Sequence, residues 1–401
     1  MLYNDNNSSL GALMNYHNNK QGLLRKNLQG ELAYESFVPT SLQNIIPLEL
    51  DDETIRLLGT CSRKIGELEG MIKFVPNAQM FLAMYVRKEA LLSAQIEGTQ
   101  CTFDDILDPN NSELTKREIV DVVNYVAATE YAISQMNQLP LCMRLLKEVH
   151  ATFLSGSRGS DKQPGEIRTS QNWIGPNGCM LRAASYVPPN PEDMIDCLGE
   201  LDQFINEVEN IDPLIKAALI HYQFETIHPF LDGNGRLGRL LITLSLMNDS
   251  VLSGAIFYPS YQFKLRRTEY YEKLMDVREN GTYTSWVQFF CDCLLQSAQD
   301  AIRSLESLVA LRTTNATAIN EKLGRSSANG QRLLEMLEEN PIVDVAYVAD
   351  RLDISRSTAN SLVSEFVELN ILKQAVEEKK RYRVFLYEDY LNILRKGSDP
   401  L

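Results

Sequence analysis

Apolar residues recur at three- and four-residue spacing over most of the chain, a pattern that predicts a mainly helical protein. After Pro76, Asn77 can cap a helix that runs from Met80 to Glu97 and stops at Gly98. Thr102 with Asp105 three residues on forms an N-cap box that opens a further helix. Helical periodicity returns over 116–136 and 140–154. Asp212 before Pro213 is a cap with proline at the first helical position. That helix carries Leu214, Ala217, Ala218, His221 and Tyr222 at core spacing and ends near Thr226; Leu237, Leu240, Leu241 and Leu244 form the stripe of the next. Further helices are predicted over 267–278 and 283–308. Between 156 and 191 the helical pattern gives way to Gly, Pro, Ser and Asn. The β-type pieces Asn172–Ile174 and Ala184–Val187, separated by the turn Gly175–Gly178, predict a hairpin there.

The ends of the chain differ from this middle. The first thirty or so residues are rich in Asn, Gln and Gly, and 1–38 reads as a loose arm. An N-terminal helical region follows over 39–138, then a core over 139–312. The stretch 313–330 is poor in apolar residues and reads as a linker. Beyond it, helices over 331–340, 345–352 and 357–369 and a β-type piece at 380–386 make a compact terminal unit, 331–401.

Composition narrows the class. A chain of 401 residues suits two or three domains. No apolar run approaches the roughly 18 residues that span a bilayer, and the N-terminus lacks the pattern of a secretory signal, so no membrane partner is expected. Seven cysteines, an odd number without C-x-x-C spacing, read as reduced core thiols and suit the cytoplasm. A net charge of −14 argues against nonspecific binding of nucleic acid by the whole surface.

One segment, His228-Pro229-Phe230-Leu231-Asp232-Gly233-Asn234-Gly235-Arg236-Leu237-Gly238-Arg239, gathers groups for phosphate chemistry at a helix start. Gly233 and Gly235 flank Asn234 and let backbone N–H groups approach an anion, which the helix N-terminus also favours. Arg236 and Arg239 share a helix face and can fork onto phosphate oxygens. Asp232 is a hard carboxylate suited to Mg2+, and His228 is a candidate general base. A Gly-rich loop before a helix, or a lone loop histidine, says little by itself; these residue types in this order say more. His221 and His228 lack zinc spacing, and His150 reads as a hydrogen-bonded core histidine.

The segment resembles the Fic family signature, His-x-Phe-x-Asp/Glu-Gly-Asn-Gly-Arg-x-x-Arg, at every position, with further similarity over roughly 139–297. The resemblance implies a Fic helical core with a β-hairpin flap. It implies a protein adenylyltransferase that moves AMP from ATP to a Tyr, Thr or Ser hydroxyl of a protein substrate, itself included by automodification. In the family the histidine deprotonates the target, the acid holds Mg2+, the glycine nest and Asn234 bind phosphates, and the arginines grip the β and γ groups. Glycine at 235, where the kinase-like branch has lysine, implies transfer from the α-phosphate. The flap, here Ile174, Gly175, Ser185, Tyr186 and Val187, lays the target segment beside the nucleotide by strand addition. Tyr270 or Tyr271 is expected to line the adenine pocket.

Upstream, Ser93-Ala94-Gln95-Ile96-Glu97-Gly98 resembles the family's inhibitory motif, near the end of the helix expected over about 77–98. It implies that Glu97 pairs with Arg239 and occupies the arginine that the γ-phosphate needs. At the other end, the spacing from Val345 to Val363 resembles a helix-turn-helix, its second helix capped by Ser355, with Lys379–Arg383 as a wing strand. Charge there is close to balanced, so a winged-helix domain that binds DNA and one that docks a protein or a second copy are equally open. The alternative function is a DNA-binding transcriptional regulator with a nucleotide-sensing Fic core.

Overall fold

The computed structural model describes residues 21–75, 78–107, 116–157, 159–176, 178–376 and 383–400. In chain order the strands β1 (Gly22–Asn27) and β2 (Tyr34–Pro39) precede the helices α1 (Asp52–Ile72), α2 (Ala78–Ile96), α3 (Phe103–Leu107), α4 (Lys116–Gln135) and α5 (Met143–Phe153). Then come α6 (Pro191–Glu207), α7 (Pro213–Ile227), α8 (Asn234–Asn248), α9 (Ser260–Leu265), α10 (Arg267–Asn280), α11 (Tyr283–Lys322) and α12 (Ser327–Glu339). The chain ends with β3 (Ile342–Asp344), α13 (Val345–Leu352), α14 (Arg356–Glu368), β4 (Lys373–Gln374), β5 (Val384–Leu386) and α15 (Glu388–Arg395). The protein is mainly α, as its periodicity predicts.

Two compact units divide these elements. The first holds the described residues up to Ile65 with Asn124–Gly254 and Gln262–Leu295. Its centre is α7, in which every residue from Leu214 to Ile227 is buried, packed against the largely buried α8. A helix buried all round belongs at the middle of a core. Its start is set by Asp212, whose carboxylate accepts from Leu214 N (2.8 Å) and Ile215 N (3.4 Å), with Pro213 at the first position. Trp286 of α11 is fully buried and donates Nε1–H to the Ala218 carbonyl of α7, 2.8 Å.

The second unit holds Gly66–Val123, Ala255–Tyr261 and Gln296–Leu401. Within it Tyr85 of α2 donates to the Ala301 carbonyl (3.0 Å), and Arg87 to that of Glu339 (3.3 Å). Thr102 and Asp105 cap α3 reciprocally, as their spacing predicts. The antiparallel sheet β3-β5-β4 pairs Ile342 and Lys373 with Leu386. Ser355 caps α14 by accepting from Thr358 N, 3.1 Å.

Three readings change. The described part of the expected loose arm is a β-hairpin, with Gly22 paired to Pro39 and Asn27 to Tyr34. Long-range contacts hold it, which its polar composition does not reveal. The expected linker is helix: α11 runs on to Lys322, and α12 starts at Ser327. It is apolar-poor because only a narrow face turns inward, at Ile319, fully buried, and at Asn315, which donates to Tyr387 Oη (2.7 Å). Helices α1 and α6 were not anticipated. The Asn77 cap and residues 379–382 of the wing lie outside the described residues.

Removing the Asp212 cap leaves two N–H groups of α7 without their acceptor. Asp212→Ala is expected to cost about 1 kcal/mol of stability, read as a lower denaturation midpoint at unchanged slope.

Candidate functional site

The loop between α7 and α8 is shaped from both sides. Helix α7 ends because Pro229 disfavours helical backbone at His228. His228 takes a left-handed conformation (φ 51°), its N–H still bound to the Phe224 carbonyl at 3.0 Å. The half-buried imidazole has its Nδ1 3.4 Å from the Glu225 carbonyl.

Asn234, buried at the first position of α8, bridges the loop. Its Oδ1 accepts from Phe230 N (2.9 Å) and its Nδ2 donates to the Phe230 carbonyl (2.8 Å). Gly233 caps α8 in the left-handed region (φ 80°), with its N–H on Asp232 Oδ1 at 2.6 Å. A Cβ on Gly233 would meet His150 Nε2 at an ordinary contact distance of 3.4 Å, so it is the left-handed backbone that favours glycine. Gly235 lies in the first turn of α8. The Asp232 side chain is 45% exposed, with Arg236 Nη2 3.9 Å from Oδ1. Arg236 and Arg239 are buried on α8, three residues apart on one face as their spacing predicts.

Two residues that the signature does not contain hold this loop. His150 of α5 accepts from Gly165 N at Nδ1 (2.9 Å), donates from Nε2 to the Asp232 carbonyl (2.9 Å), and stacks on Phe230 at 3.8 Å. Burial, the largest cause, pushes its pKa down. Arg168, almost fully buried, spends its guanidinium on backbone: Nε donates to the His228 carbonyl (3.0 Å), Nη1 to Ser170 (3.2 Å), and Nη2 to Pro189 and Ile227. Asn172 adds bonds to the carbonyls of His228 (3.2 Å) and Phe230 (3.0 Å). The reading of His150 as a core histidine agrees with this. The loop role of Arg168 had no local signal, because its partners are carbonyls 2 to 60 residues away.

The predicted hairpin is present as one bridge, Ile174 with Tyr186, their two backbone bonds 2.8 and 3.0 Å long. A Cβ on Gly175 would lie 2.6 Å from Cys179 Sγ and 3.3 Å from Ser185 N, so the two arms close only on glycine. Tyr186 is buried and donates to the Thr226 carbonyl (2.7 Å), with Arg278 over its ring. Ser185 and Val187 flank it on the same arm. On α2, Ser93 is buried while Glu97, one residue past the helix end, is exposed; Gly98 closes the turn at φ 92°.

Of the two tyrosines considered for the adenine pocket, Tyr270 turns inward. It is fully buried and donates its hydroxyl to His221 Nε2 (2.9 Å), while His221 Nδ1 donates to the Gly238 carbonyl (2.8 Å). That bond turns the ring into the core, so Tyr270 lines no open surface. Tyr271, 39% exposed, is the ring of the pair that a ligand could reach.

Burial pushes the pKa of His221 down to about 3, against an ordinary value near 6.5. The folded state therefore binds fewer protons at this site between those values than the unfolded state does. The contribution is complete above about pH 6.5 and is lost progressively as pH falls towards about 3. Imidazole NMR signals of His221 should show no titration from about pH 8 to about pH 5, and the denaturation midpoint should fall over about pH 6.5 to 4. A titration of His221 near pH 6 would contradict its buried neutral state.

Comparison with known proteins follows this geometry. Residues 55–134 match the Fic/DOC family N-terminal domain and 140–246 match the Fic/DOC family domain. The protein adenylyltransferase Fic of Drosophila grimshawi is 29% identical over 181 residues, covering 43% of this chain and 34% of the relative. That of Drosophila erecta is 33% identical over 181 residues, covering 43% and 33%. The match thus spans about a third of the length of those curated relatives. A Fic family protein from Desulfovibrio desulfuricans G20 has a similar fold, with a TM-score of 0.52 at 21% identity over 85% of this chain and 97% of that one. With the signature loop built between α7 and α8, residues 55–134 and 140–246 of this chain are similar in sequence to the two consecutive domains of the Fic/DOC family.

Proposed function

We propose that the protein transfers AMP from ATP to a hydroxyl side chain of a protein. The observation that carries this reading is the placement of His228 at the end of α7, a few residues before the left-handed turn at Gly233 and the buried Arg236 and Arg239 that open α8. The backbone at Asn234 and Gly235 receives phosphate oxygens at the positive end of the helix, with the Gly233 N–H held by Asp232. Arg236 and Arg239 add charge to the β and γ groups. With both side-chain groups of Asn234 on Phe230, its part in phosphate binding is to fix the nest.

Asp232 fits Mg2+ of the kind held by one carboxylate and substrate phosphates. It is part-exposed beside the nest, and among the described residues no cluster of three His, Cys, Asp or Glu forms a cage. Bound there, the ion would offset the charge of the departing pyrophosphate. His228 Nε2 takes the proton from the target hydroxyl. The oxygen forms a bond to the α-phosphorus as the bond to the β-phosphate oxygen breaks, and pyrophosphate leaves with that electron pair.

The target is a protein segment bearing a Tyr, Thr or Ser hydroxyl, with the chain itself as one substrate. Strand addition at the flap and Tyr271 near the base complete the site. The C-terminal helices α13 and α14 with the sheet β3-β5-β4 fit a winged-helix module for DNA, a protein or a second copy. Seven cysteines without a disulfide suit the cytoplasm, and no described helix is long and apolar enough to cross a membrane.

His228→Ala should lower AMP transfer by ~10²–10⁴-fold while ATP binding stays within about twofold. Label from α-labelled ATP should reach protein, and label from γ-labelled ATP should not; the reverse would assign a kinase-like transfer.

The sequence of the Ser93–Gly98 motif supports restraint of this activity by Glu97 through Arg239. Glu97→Gly should raise self-labelling about tenfold, and Arg239→Ala in that background should cancel the gain. Unchanged labelling in Glu97→Gly would remove the inhibitory role and leave the transferase reading intact.

A further inference from the structure

Among the described residues the flap arms pair as strands at Ile174 and Tyr186 alone, and a ribbon with so few backbone bonds is marginal in water without a third element. The N-terminal hairpin supplies that element. Phe37 of β2 donates its N–H to the Val187 carbonyl (2.9 Å), and its ring lies 6.2 Å from that of Tyr186. Neighbouring residues of a strand point their backbone groups to opposite edges, so β2 lies on the edge of arm 185–187 that faces away from Ile174. Tyr34 donates its hydroxyl to Gln171 Oε1 (3.1 Å). Gln171 Nε2 in turn donates to the carbonyls of Asn172 (2.8 Å) and Pro188 (3.0 Å), one at the base of each arm. Past the flap, Asn27 Oδ1 accepts from Asn190 Nδ2 (2.8 Å), and Arg25 pairs with Asp193 at the start of α6.

The opposite edge is different. Ile174 spends both backbone groups on Tyr186, so those of Trp173 and Gly175 face outward, and among the described residues they make no backbone hydrogen bond. Trp173 and Ile174 are 41% and 37% exposed there.

We propose that the N-terminal hairpin is the positioning element of the flap: β2 closes the edge of arm 185–187, and Tyr34 and Phe37 set the arm at Trp173–Gly175 as the one edge along which an extended target segment adds. The nature of that target rests on the transferase reading above; the mechanical role of the hairpin does not. Neither residue touches the nucleotide or the reacting atoms. Loss of their contacts therefore slows transfer by loosening the flap, with nucleotide binding unaffected.

The test uses the full chain and three variants. Hydrogen exchange at the Ile174 and Tyr186 amides should speed up about tenfold in Phe37→Ala and several-fold in Tyr34→Phe, with α8 amides unchanged. Phe37→Leu, which keeps an apolar side chain against Tyr186, should stay near wild type. Self-labelling from α-labelled ATP should fall at least fivefold in Phe37→Ala, while the ATP concentration giving half the maximal rate stays the same. Unchanged exchange at both flap amides in Phe37→Ala and Tyr34→Phe would overturn the proposal. So would equal acceleration across α8 in both variants, which would mean that these residues stabilise the whole unit rather than the flap. If the wild type takes no label, the transferase reading fails, and the exchange data still decide the role of the hairpin.

Discussion

The approach of α7 to α8 at Gly238 is the constraint on which the site depends. A Cβ at that position would lie 2.2 Å from Glu225 Oε1 and 3.2 Å from Phe224 Cδ1, so a glycine lets the two helices approach without displacing these side chains. The Gly238 carbonyl accepts from His221, and the Glu225 carbonyl accepts from Arg278 and lies 3.4 Å from His228 Nδ1. This close contact therefore stands beside the polar contact on the ring of the candidate base. The loop between the helices has little freedom left: Asn234 ties its two ends, His150 holds Asp232, and Arg168 takes the carbonyls of Ile227 and His228. Shape is imposed here by buried polar groups satisfied on backbone, an arrangement that is rigid when complete and costly when one partner is lost.

How much of this could be read from the chain divides by range of interaction. The signature loop, the Asp212 and Ser355 caps and the Thr102–Asp105 box were legible because their partners lie within a few residues. The hairpin β1–β2 was not. Its strands mix polar and apolar residues, and its anchors are Gln171, Val187, Asn190 and Asp193, far along the chain. Helix α11 beyond residue 312 was hidden for another reason: a helix that packs through one narrow face carries few apolar residues, and a composition window reads it as a linker. Adjacent tyrosines at 270 and 271 could not be told apart, because the choice of which one turns inward is made by His221 on a different helix.

The second unit shows the same economy around α2. Gln95, buried and two residues before Glu97, donates Nε2 to the carbonyls of Cys101 and Ser398, both 2.7 Å away. Arg395 forks onto Asp104 at 2.7 and 2.6 Å, and Lys396 reaches Asp300 at 3.1 Å. Gly397 (φ 76°) lies so close to Tyr261 that a Cβ would sit 2.0 Å from the ring, so the tail follows one path here. These bonds differ in weight. The Arg395 and Lys396 pairs are partly exposed and are screened by water and salt. The Gln95 amide is buried, and a change that removed the Ser398 carbonyl would take away one of the two acceptors for its N–H groups. The last turn of α2, which leads into Glu97, is therefore tied to the C-terminal residues through Gln95 as well as held by its own backbone bonds. Any displacement of that tail must either break the Gln95 bond or carry the turn with it.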